Sequence, residues 1–203
     1  MDIILASLSP RRKEILSKFG IDFEIMDSCV DERAIEAEFV KNCKENTPVE
    51  WVKMISAKKA EAVGKRAEGE KAVIAADTIV TYDNKILNKP ADYDDAVNML
   101  KELSGKKHIV YTGFSVLYKK ADGTYKINTR VVGTDVWFRN LTDEEIEAYV
   151  KTGEPYDKAG AYGIQDRGSF LVEKIDGDYQ NVVGLPIVSL YEELKENGIY
   201  LIK

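Results

Sequence analysis

The pattern of apolar and polar positions along the 203 residues predicts strands and helices in alternation. Short apolar runs and stretches rich in β-branched and aromatic residues are typical of strands. They occur at residues 3–6, 72–76, 109–118, 125–138, 170–175 and 199–202, and the second is predicted to end at Asp77. Apolar residues at helical spacing behind capping residues predict helices. These helices cover residues 10–19, 48–66, 94–103, 143–151 and 186–197.

Two long predicted strands lie mid-chain and meet around Asp122-Gly123, which indicates an antiparallel pair. Helices and strands alternate elsewhere, so we predict an α/β fold with a mixed sheet. No repeat or linker interrupts residues 1–203, and we expect one domain.

Composition narrows the class of protein. The chain is 44% hydrophobic and 32% charged, as is usual for a folded globular protein, and its net charge is −6. No broad basic surface is expected, which argues against nucleic acid as a partner. The sequence has no signal peptide or membrane-length apolar segment, so we expect a cytoplasmic protein without a membrane partner. Cys29 and Cys43 lack metal-site spacing and are expected to be reduced thiols.

The segment Ser7-Leu8-Ser9-Pro10-Arg11-Arg12 places two arginines in the first turn of a predicted helix, where the helix dipole disfavours positive charge. A phosphate would compensate, because the free N–H groups of the helix start, two guanidinium groups and the Ser7 hydroxyl form an anion site. The alternative is a solvated helix end with salt bridges to surface carboxylates.

Asp77 interrupts an apolar stretch, and a buried carboxylate must be paired, metal-bound or catalytic. Glu32 is a second candidate, because two carboxylates brought together suit a hard divalent cation. Taken alone, Glu32 is equally a plain exposed acid. Lys59, Lys89 and Lys158 are candidates to neutralise phosphate oxygens, although most lysines in such a chain are solvated.

Residues 153–165 combine charges and aromatics with glycines that allow close backbone approach. Such a segment either wraps a base and sugar or is a tight structural loop. The P-loop, dinucleotide-binding and zincin motifs are absent. His108 is the single histidine, which excludes a histidine-rich metal site, and at the start of a strand it is expected to be structural.

Several ordered segments carry a resemblance that extends over nearly the whole chain. They are residues 6–16, 30–32, 57–60, 75–80, 89–90, 108–113, 153–165 and 177–186. Together they resemble the Maf family of nucleotide pyrophosphatases. The resemblance implies a mixed α/β fold, built on a long twisted sheet like that of inosine triphosphatases, with a cleft between two lobes.

The resemblance also implies roles for single residues. Asp77 matches the catalytic aspartate, and a divalent cation, Mg²⁺ or Mn²⁺, is implied with Glu32 and Asp77 as candidate ligands. Arg11, Thr78 and Gln165 match positions that track substrate choice, and their combination is similar to the branch that acts on dTTP and UTP. One departure is Asp166, where the family usually has glycine.

The reaction implied is a nucleoside triphosphate plus water giving the monophosphate and pyrophosphate, which would remove modified or excess nucleotides. Asp77 would take the proton from water, while the metal, Arg11 or Arg12, Lys59 and Lys89 stabilise phosphoryl charge. Two alternatives stay open: a nucleotide-binding regulator of cell division without turnover, and a pyrophosphatase for other modified nucleotides. A monomer and a homodimer both stay open.

Overall fold

A computed structural model describes residues 1–20, 22–42 and 47–201, which form one seven-stranded sheet with helices on its faces. The strands are β1 (Asp2–Leu5), β2 (Phe23–Ile25), β3 (Lys71–Tyr82), β4 (Lys85–Leu87), β5 (Lys107–Lys119), β6 (Tyr125–Phe138) and β7 (Val172–Asp176). The helices are α1 (Pro10–Ser17), α2 (Glu32–Asn42), α3 (Pro48–Arg66), α4 (Tyr93–Leu103), α5 (Asp143–Val150), α6 (Tyr179–Val183) and α7 (Ile187–Glu196).

The sheet is mixed, as predicted. Its order is β2-β1-β3-β5-β6-β7, and β4 pairs with β3 beside this path. β1 is parallel to β2 and β3, whereas the remaining pairs are antiparallel. The predicted antiparallel pair of long strands is β5 and β6. That the chain is one domain stays a prediction.

Both faces of the sheet are covered because alternate residues of β3 point to opposite sides. Val73 and Ala75 pack against α3, where Ala60 and Val63 are fully buried. The opposite face carries the larger core, which includes α1, α4, α5 and α7. The sheet is therefore the middle layer of the molecule, and β3 contributes side chains to the cores on both of its faces.

Two strand predictions are wrong. β3 does not end at Asp77 but continues to Tyr82, because its pairing with β5 runs unbroken to the partners Thr81 and Ile109. Residues 199–201 are not a strand, although Leu201 is buried in the core, and Ile202 lies outside the described residues. The strand predicted at 170–175 is β7, and the residues before it form a 3₁₀ turn over Asp166–Leu171.

Four elements escaped the pattern analysis: β2, α2, β4 and α6. β2, β4 and α6 have only three to five residues, which is too short for a hydrophobic periodicity to be recognised. β4 follows the two-residue turn Asp83-Asn84, in which both residues have positive φ (50° and 60°). Aspartate and asparagine tolerate this conformation, which matches the twist of a hairpin.

Candidate active site

The candidate active site is a cleft beside a gap in the sheet. β5 occupies one edge of β3, so β1 and β4 must share the other edge. β1 pairs there with residues 71–74 and β4 with residues 80–82, and between these two no strand of the described ranges covers β3. A cleft of about 830 Å³ opens at this gap. All ten residues predicted for the site line it: Ser7, Arg11, Arg12, Glu32, Lys59, Asp77, Thr78, Lys89, Lys158 and Gln165.

Asp77 lies in the middle of the gap and is paired with a lysine. The Lys59 Nζ atom lies 2.7 Å from Asp77 Oδ1 and 2.7 Å from Glu32 Oε1. The side chains of Lys59 and Asp77 are only 11% and 18% exposed, whereas that of Glu32 is 59% exposed. One ammonium group therefore brings the two predicted carboxylates together at the mouth of the gap.

Close packing of α3 on the sheet allows this contact. Gly113 on β5 is the partner of Asp77, and a Cβ atom there would lie 2.4 Å from the Val52 carbonyl oxygen of α3. A larger residue would push the helix away from the sheet. The glycine thus lets α3 carry Lys59, two turns after Val52, into reach of Asp77.

The second wall of the cleft is the start of α1. Arg12 donates from Nε to the Gly184 carbonyl oxygen (2.8 Å), from Nη2 to Thr78 Oγ1 (3.1 Å) and from Nη1 to Ser7 Oγ (3.3 Å). Burial lowers the pKa of the Arg12 guanidinium. The charge of Asp77 raises it by a smaller amount, so the pKa lies below its usual value. These bonds use three of the five N–H groups of an arginine and leave two for a ligand.

The first turn of α1 has no side-chain cap. Ser9 lies at the N-cap position, but its hydroxyl accepts no hydrogen bond from the helix, while its backbone N–H donates to Ser7 Oγ at 3.2 Å. The N–H groups of the first turn therefore remain free of a side-chain acceptor, as an anion site requires.

Arg11 behaves differently from Arg12, because Nη1 of Arg11 donates to Asp157 Oδ2 at 3.0 Å. Lys158 contacts the other oxygen of this carboxylate at 2.6 Å. Burial raises the pKa of Asp157, but the hydrogen bonds from Lys158 and Arg11 outweigh it and lower the pKa. For Arg11 the salt-bridge alternative is the one the structure contains, with a carboxylate from the glycine-rich segment.

The glycine-rich segment is both a tight loop and a wall of the cleft. A Cβ atom on Gly168 would lie 2.2 Å from the Gly163 carbonyl oxygen. Glu154 Oε1 accepts hydrogen bonds from the Tyr149 hydroxyl (3.0 Å) and from the Gly168 N–H (3.1 Å). The two alternatives for residues 153–165 are therefore compatible, because the glycines that close the loop also bring Gln165 to the cleft.

Gln165 and Lys89 both line the cleft. Within the described part of the chain, the Gln165 side-chain amide makes no hydrogen bond, and Lys89 forms no ion pair. Asp166, which also lines the cleft, has a φ of +52°. This is the left-handed region, where glycine is favoured.

His108 lies outside the cleft lining and is buried. Its Nε2 atom is 2.7 Å from the Tyr162 hydroxyl, and its ring packs edge-on against Phe138 at 4.9 Å. Burial lowers the pKa of His108 to about 3, so the ring is neutral at pH 7. These contacts support the structural interpretation.

Sequence reasoning gave no role to several residues that support the cleft. Thr112 and Asn181 are fully buried and reach Thr78 through hydrogen bonds, and the buried Gly184 holds Arg12. Asn181 and Gly184 belong to the 177–186 segment that carries the resemblance, and this is the sequence signal that could have identified them. Trp51 also lines the cleft, but no signal in the sequence pointed to it.

Three further findings concern metals, membranes and thiols. In residues 1–20, 22–42 and 47–201, no three or more His, Cys, Asp or Glu side chains form a metal-binding group, and no helix is long and apolar enough to cross a membrane. Cys29 is free and exposed, and Cys43 lies outside the described residues.

A family model and relatives of known sequence agree on one family. The family described as Maf-like protein matches residues 2–197. The chain is 48% identical over 195 residues to the dTTP/UTP pyrophosphatase of Thermoanaerobacter sp. (strain X514), which covers 96% of each chain. It is 46% identical over 199 residues to the dTTP/UTP pyrophosphatase of Thermosipho africanus (strain TCF52B), covering 98% of this chain and 95% of the relative. Among solved structures, the Staphylococcus aureus Ham1 protein is similar with a TM-score of 0.44 and 12% identity, over 98% of this chain and all of that one.

Proposed function

This chain belongs to the Maf family, and on that basis we propose that it hydrolyses dTTP and UTP to the monophosphate and pyrophosphate. The observation that carries the proposal is one cleft in which Asp77 and Glu32 meet the same lysine while Arg12 and the uncapped start of α1 form the facing wall. Carboxylates that can accept a proton or bind a metal ion thus lie beside groups that suit phosphate oxygens. The nucleoside triphosphate is the partner that this arrangement fits.

Asp77 is the general base in this proposal. It lies where the sheet edge is open, so water can reach its carboxylate, and it takes the proton as the water oxygen attacks the α-phosphorus. The bond from that phosphorus to the bridging oxygen breaks, and pyrophosphate leaves. Lys59 holds the carboxylate in place and partly neutralises it, which reduces its repulsion of the anionic substrate.

The phosphoryl charge is stabilised by groups already oriented in the free protein. Arg12 is fixed by three hydrogen bonds and retains two N–H groups, and the first turn of α1 has no side-chain cap. Fixed donors need little reorganisation during the reaction, which is the main source of electrostatic catalysis. Lys89 is exposed at the rim of the cleft and suits the outer phosphates.

A divalent cation, Mg²⁺ or Mn²⁺, fits this donor set. Mg²⁺ is commonly held by one or two carboxylates and completes its shell with water and substrate phosphates. Glu32 and Asp77, which converge on Lys59, would hold it, so the lack of a third protein ligand among the described residues is no obstacle. Such an ion would withdraw negative charge from the phosphates and position them.

Gln165 is proposed to read the base. Its amide offers a donor and an acceptor, and this pair complements the N3–H and a carbonyl of uracil or thymine. Selection against cytosine requires the amide to be held in one orientation, because a rotated amide would complement cytosine equally well. Since no described residue bonds this amide, the loop around it has to hold it when the nucleotide binds. Arg11, joined to Asp157, places a cation beside the same loop.

Two alternatives to this function are a regulator without turnover and a pyrophosphatase with another substrate. A regulator that binds nucleotides without turnover has no use for a carboxylate among phosphates, so Asp77 favours the enzyme. A pyrophosphatase for modified nucleotides would use the same machinery with another base. A cytoplasmic location, a homodimer and the absence of a nucleic-acid partner stay predictions.

The test is a screen of nucleoside triphosphates with Mg²⁺ or Mn²⁺, with detection of pyrophosphate and of the monophosphate. We expect equal amounts of both products, and the highest kcat/KM for dTTP and UTP. Release of orthophosphate and the diphosphate would contradict attack at the α-phosphorus. Binding without any product would favour the regulator.

A further inference from the structure

A line of hydroxyl groups runs from the cleft into the core. Thr78 lies at the cleft, and its Oγ1 atom is 2.9 Å from Oγ1 of the fully buried Thr112. Thr112 Oγ1 lies 2.9 Å from the backbone carbonyl oxygen of the fully buried Asn181. We call these three groups the threonine chain. It connects β3 and β5 to α6.

The two ends of the threonine chain fix the direction of its hydrogen bonds. The Asn181 carbonyl can only accept, so the Thr112 hydroxyl donates its single hydrogen there. Thr78 in turn donates to Thr112 Oγ1, or to the Gly184 carbonyl oxygen at the longer distance of 3.4 Å. The Arg12 Nη2 group can only donate, and it occupies one lone pair of Thr78 Oγ1.

The inner anchor is also fixed. Asn181 donates from Nδ2 to the Val110 carbonyl oxygen (3.0 Å) and to Thr134 Oγ1 (3.0 Å). The Thr134 hydroxyl donates its own hydrogen to the Asp178 carbonyl oxygen (3.0 Å), so it must accept from Asn181. A flipped amide would face two acceptors with its oxygen. The Asn181 residue is therefore held in one orientation.

Thr78 thus reaches the cleft with its hydrogen already engaged and one lone pair unused. We propose that Thr112 is a positioning residue that makes Thr78 a hydrogen-bond acceptor toward the substrate, and that Thr78 receives an N–H or O–H group of the nucleoside. This inference rests on the proposed function. Phosphate oxygens are acceptors themselves, so they are unsuitable partners for Thr78. dTTP and UTP share two suitable donors, the base N3–H and the sugar 3′-hydroxyl. Contact with the 3′-hydroxyl leaves the N3–H to Gln165, whereas an N3–H held by Thr78 would leave Gln165 a base carbonyl alone.

The first experiment tests the positioning role with Thr112→Val and Thr112→Ser. The valine variant removes the nearer acceptor and leaves the Thr78 hydrogen only the Gly184 carbonyl oxygen at 3.4 Å, so the hydroxyl is free to turn toward the cleft. We expect kcat/KM for dTTP to fall about 10- to 100-fold, since an unmatched polar contact costs this much. The serine variant keeps the hydroxyl and should stay within a few-fold of the original protein. In a Thr78→Val background, Thr112→Val should add no further loss.

A matched control separates positioning from general damage to the core. Ser115 is another fully buried hydroxyl of β5, bonded to Ser56 (3.0 Å) and Thr129 (2.8 Å) and not to Thr78. Ser115→Ala should lower the melting temperature without the loss of kcat/KM. Equal losses in both variants, or losses of Thr112→Val and Thr78→Val that simply multiply, would overturn the positioning role.

The second experiment identifies the donor with N3-methyl-dTTP and 3′-deoxy-dTTP. One analogue should lose about 10- to 100-fold against dTTP in the original protein and lose nothing extra in Thr78→Val. A steric effect of the methyl group would persist in that variant. If neither analogue couples to Thr78, the acceptor assignment is wrong. If dTTP is not hydrolysed, the proposed function fails. The same comparison of analogues and variants, measured as dissociation constants instead of kcat/KM, then tests the inference separately.

Discussion

Replacement of Asp77 by asparagine isolates the proposed base from the fold. Asparagine has nearly the same shape, and its amide oxygen can still accept from Lys59, which keeps its 2.7 Å contact with Glu32. Weakening one hydrogen bond between two mostly buried groups should cost about 1 kcal/mol of unfolding free energy. For a chain of this size that corresponds to a fall in melting temperature of roughly 2–4 °C.

Turnover should fall far more than stability. An amide does not accept a proton at neutral pH, and loss of a general base costs about 10²–10⁴-fold in rate. This equals about 3–5 kcal/mol of transition-state stabilisation. Nucleotide binding should persist, because the phosphate-facing groups on α1, including Arg12, are untouched.

The assay is release of pyrophosphate from dTTP with Mg²⁺, with calorimetry of nucleotide binding and a thermal melt on the same sample. Asp2→Asn is the matched control, since Asp2 also contacts a lysine (Lys71, 3.0 Å) but lies beside the first residue of β3, away from the gap at Asp77. It should leave kcat unchanged. A kcat of Asp77→Asn near that of the original protein would remove Asp77 from the mechanism.

Three other substitutions test the remaining parts of the cleft. Arg12→Ala should raise KM or lower kcat at least 10-fold, because a charge-assisted phosphate contact is lost, while the melting temperature stays the same or rises slightly; easy unfolding with normal kinetics would make this arginine structural. Gln165→Ala should reduce the preference for UTP over CTP, measured as a ratio of kcat/KM values, by about 10- to 100-fold; an unchanged ratio would assign the base to another residue. Asp166→Gly should stabilise the chain or leave it unchanged in a thermal melt, because relief of about 1 kcal/mol of left-handed strain offsets the entropy of glycine; a clear loss of stability would show that the aspartate side chain holds the loop.

Local signals in the sequence were sufficient for much of the secondary structure. The helices with capping residues were found because a cap acts within four residues, and at α5 the full box between Thr142 and Glu145 is present. The long strands β5 and β6 were found because their β-branched pattern persists over many residues. Short elements such as β2 and β4 depend on neighbours far along the chain, and no local pattern encodes them.

The position of Asp77 shows where local reasoning ends. A carboxylate after an apolar run was predicted to terminate the strand, as polar residues often do. The strand instead continues, because β5 satisfies one edge of the backbone along its whole length while β1 and β4 leave the other edge open only around Asp77. That gap is a property of three strands whose registers are set by contacts distant in sequence. The sequence therefore singled out Asp77 as a candidate, whereas the reason why it is accessible exists only in the folded sheet.

The two arginines of α1 lead to the same conclusion from another direction. Their unfavourable position at a helix start predicted a negative partner for both. Arg11 has one in Asp157, almost 150 positions later in the chain. Arg12 meets only uncharged acceptors among the described residues: a carbonyl oxygen and two hydroxyls. The electrostatic argument is identical for the two neighbours, and only the fold separates the arginine joined to a carboxylate from the one whose partners are uncharged. For that reason Arg12, rather than Arg11, is the residue whose removal should weaken phosphate binding without weakening the fold.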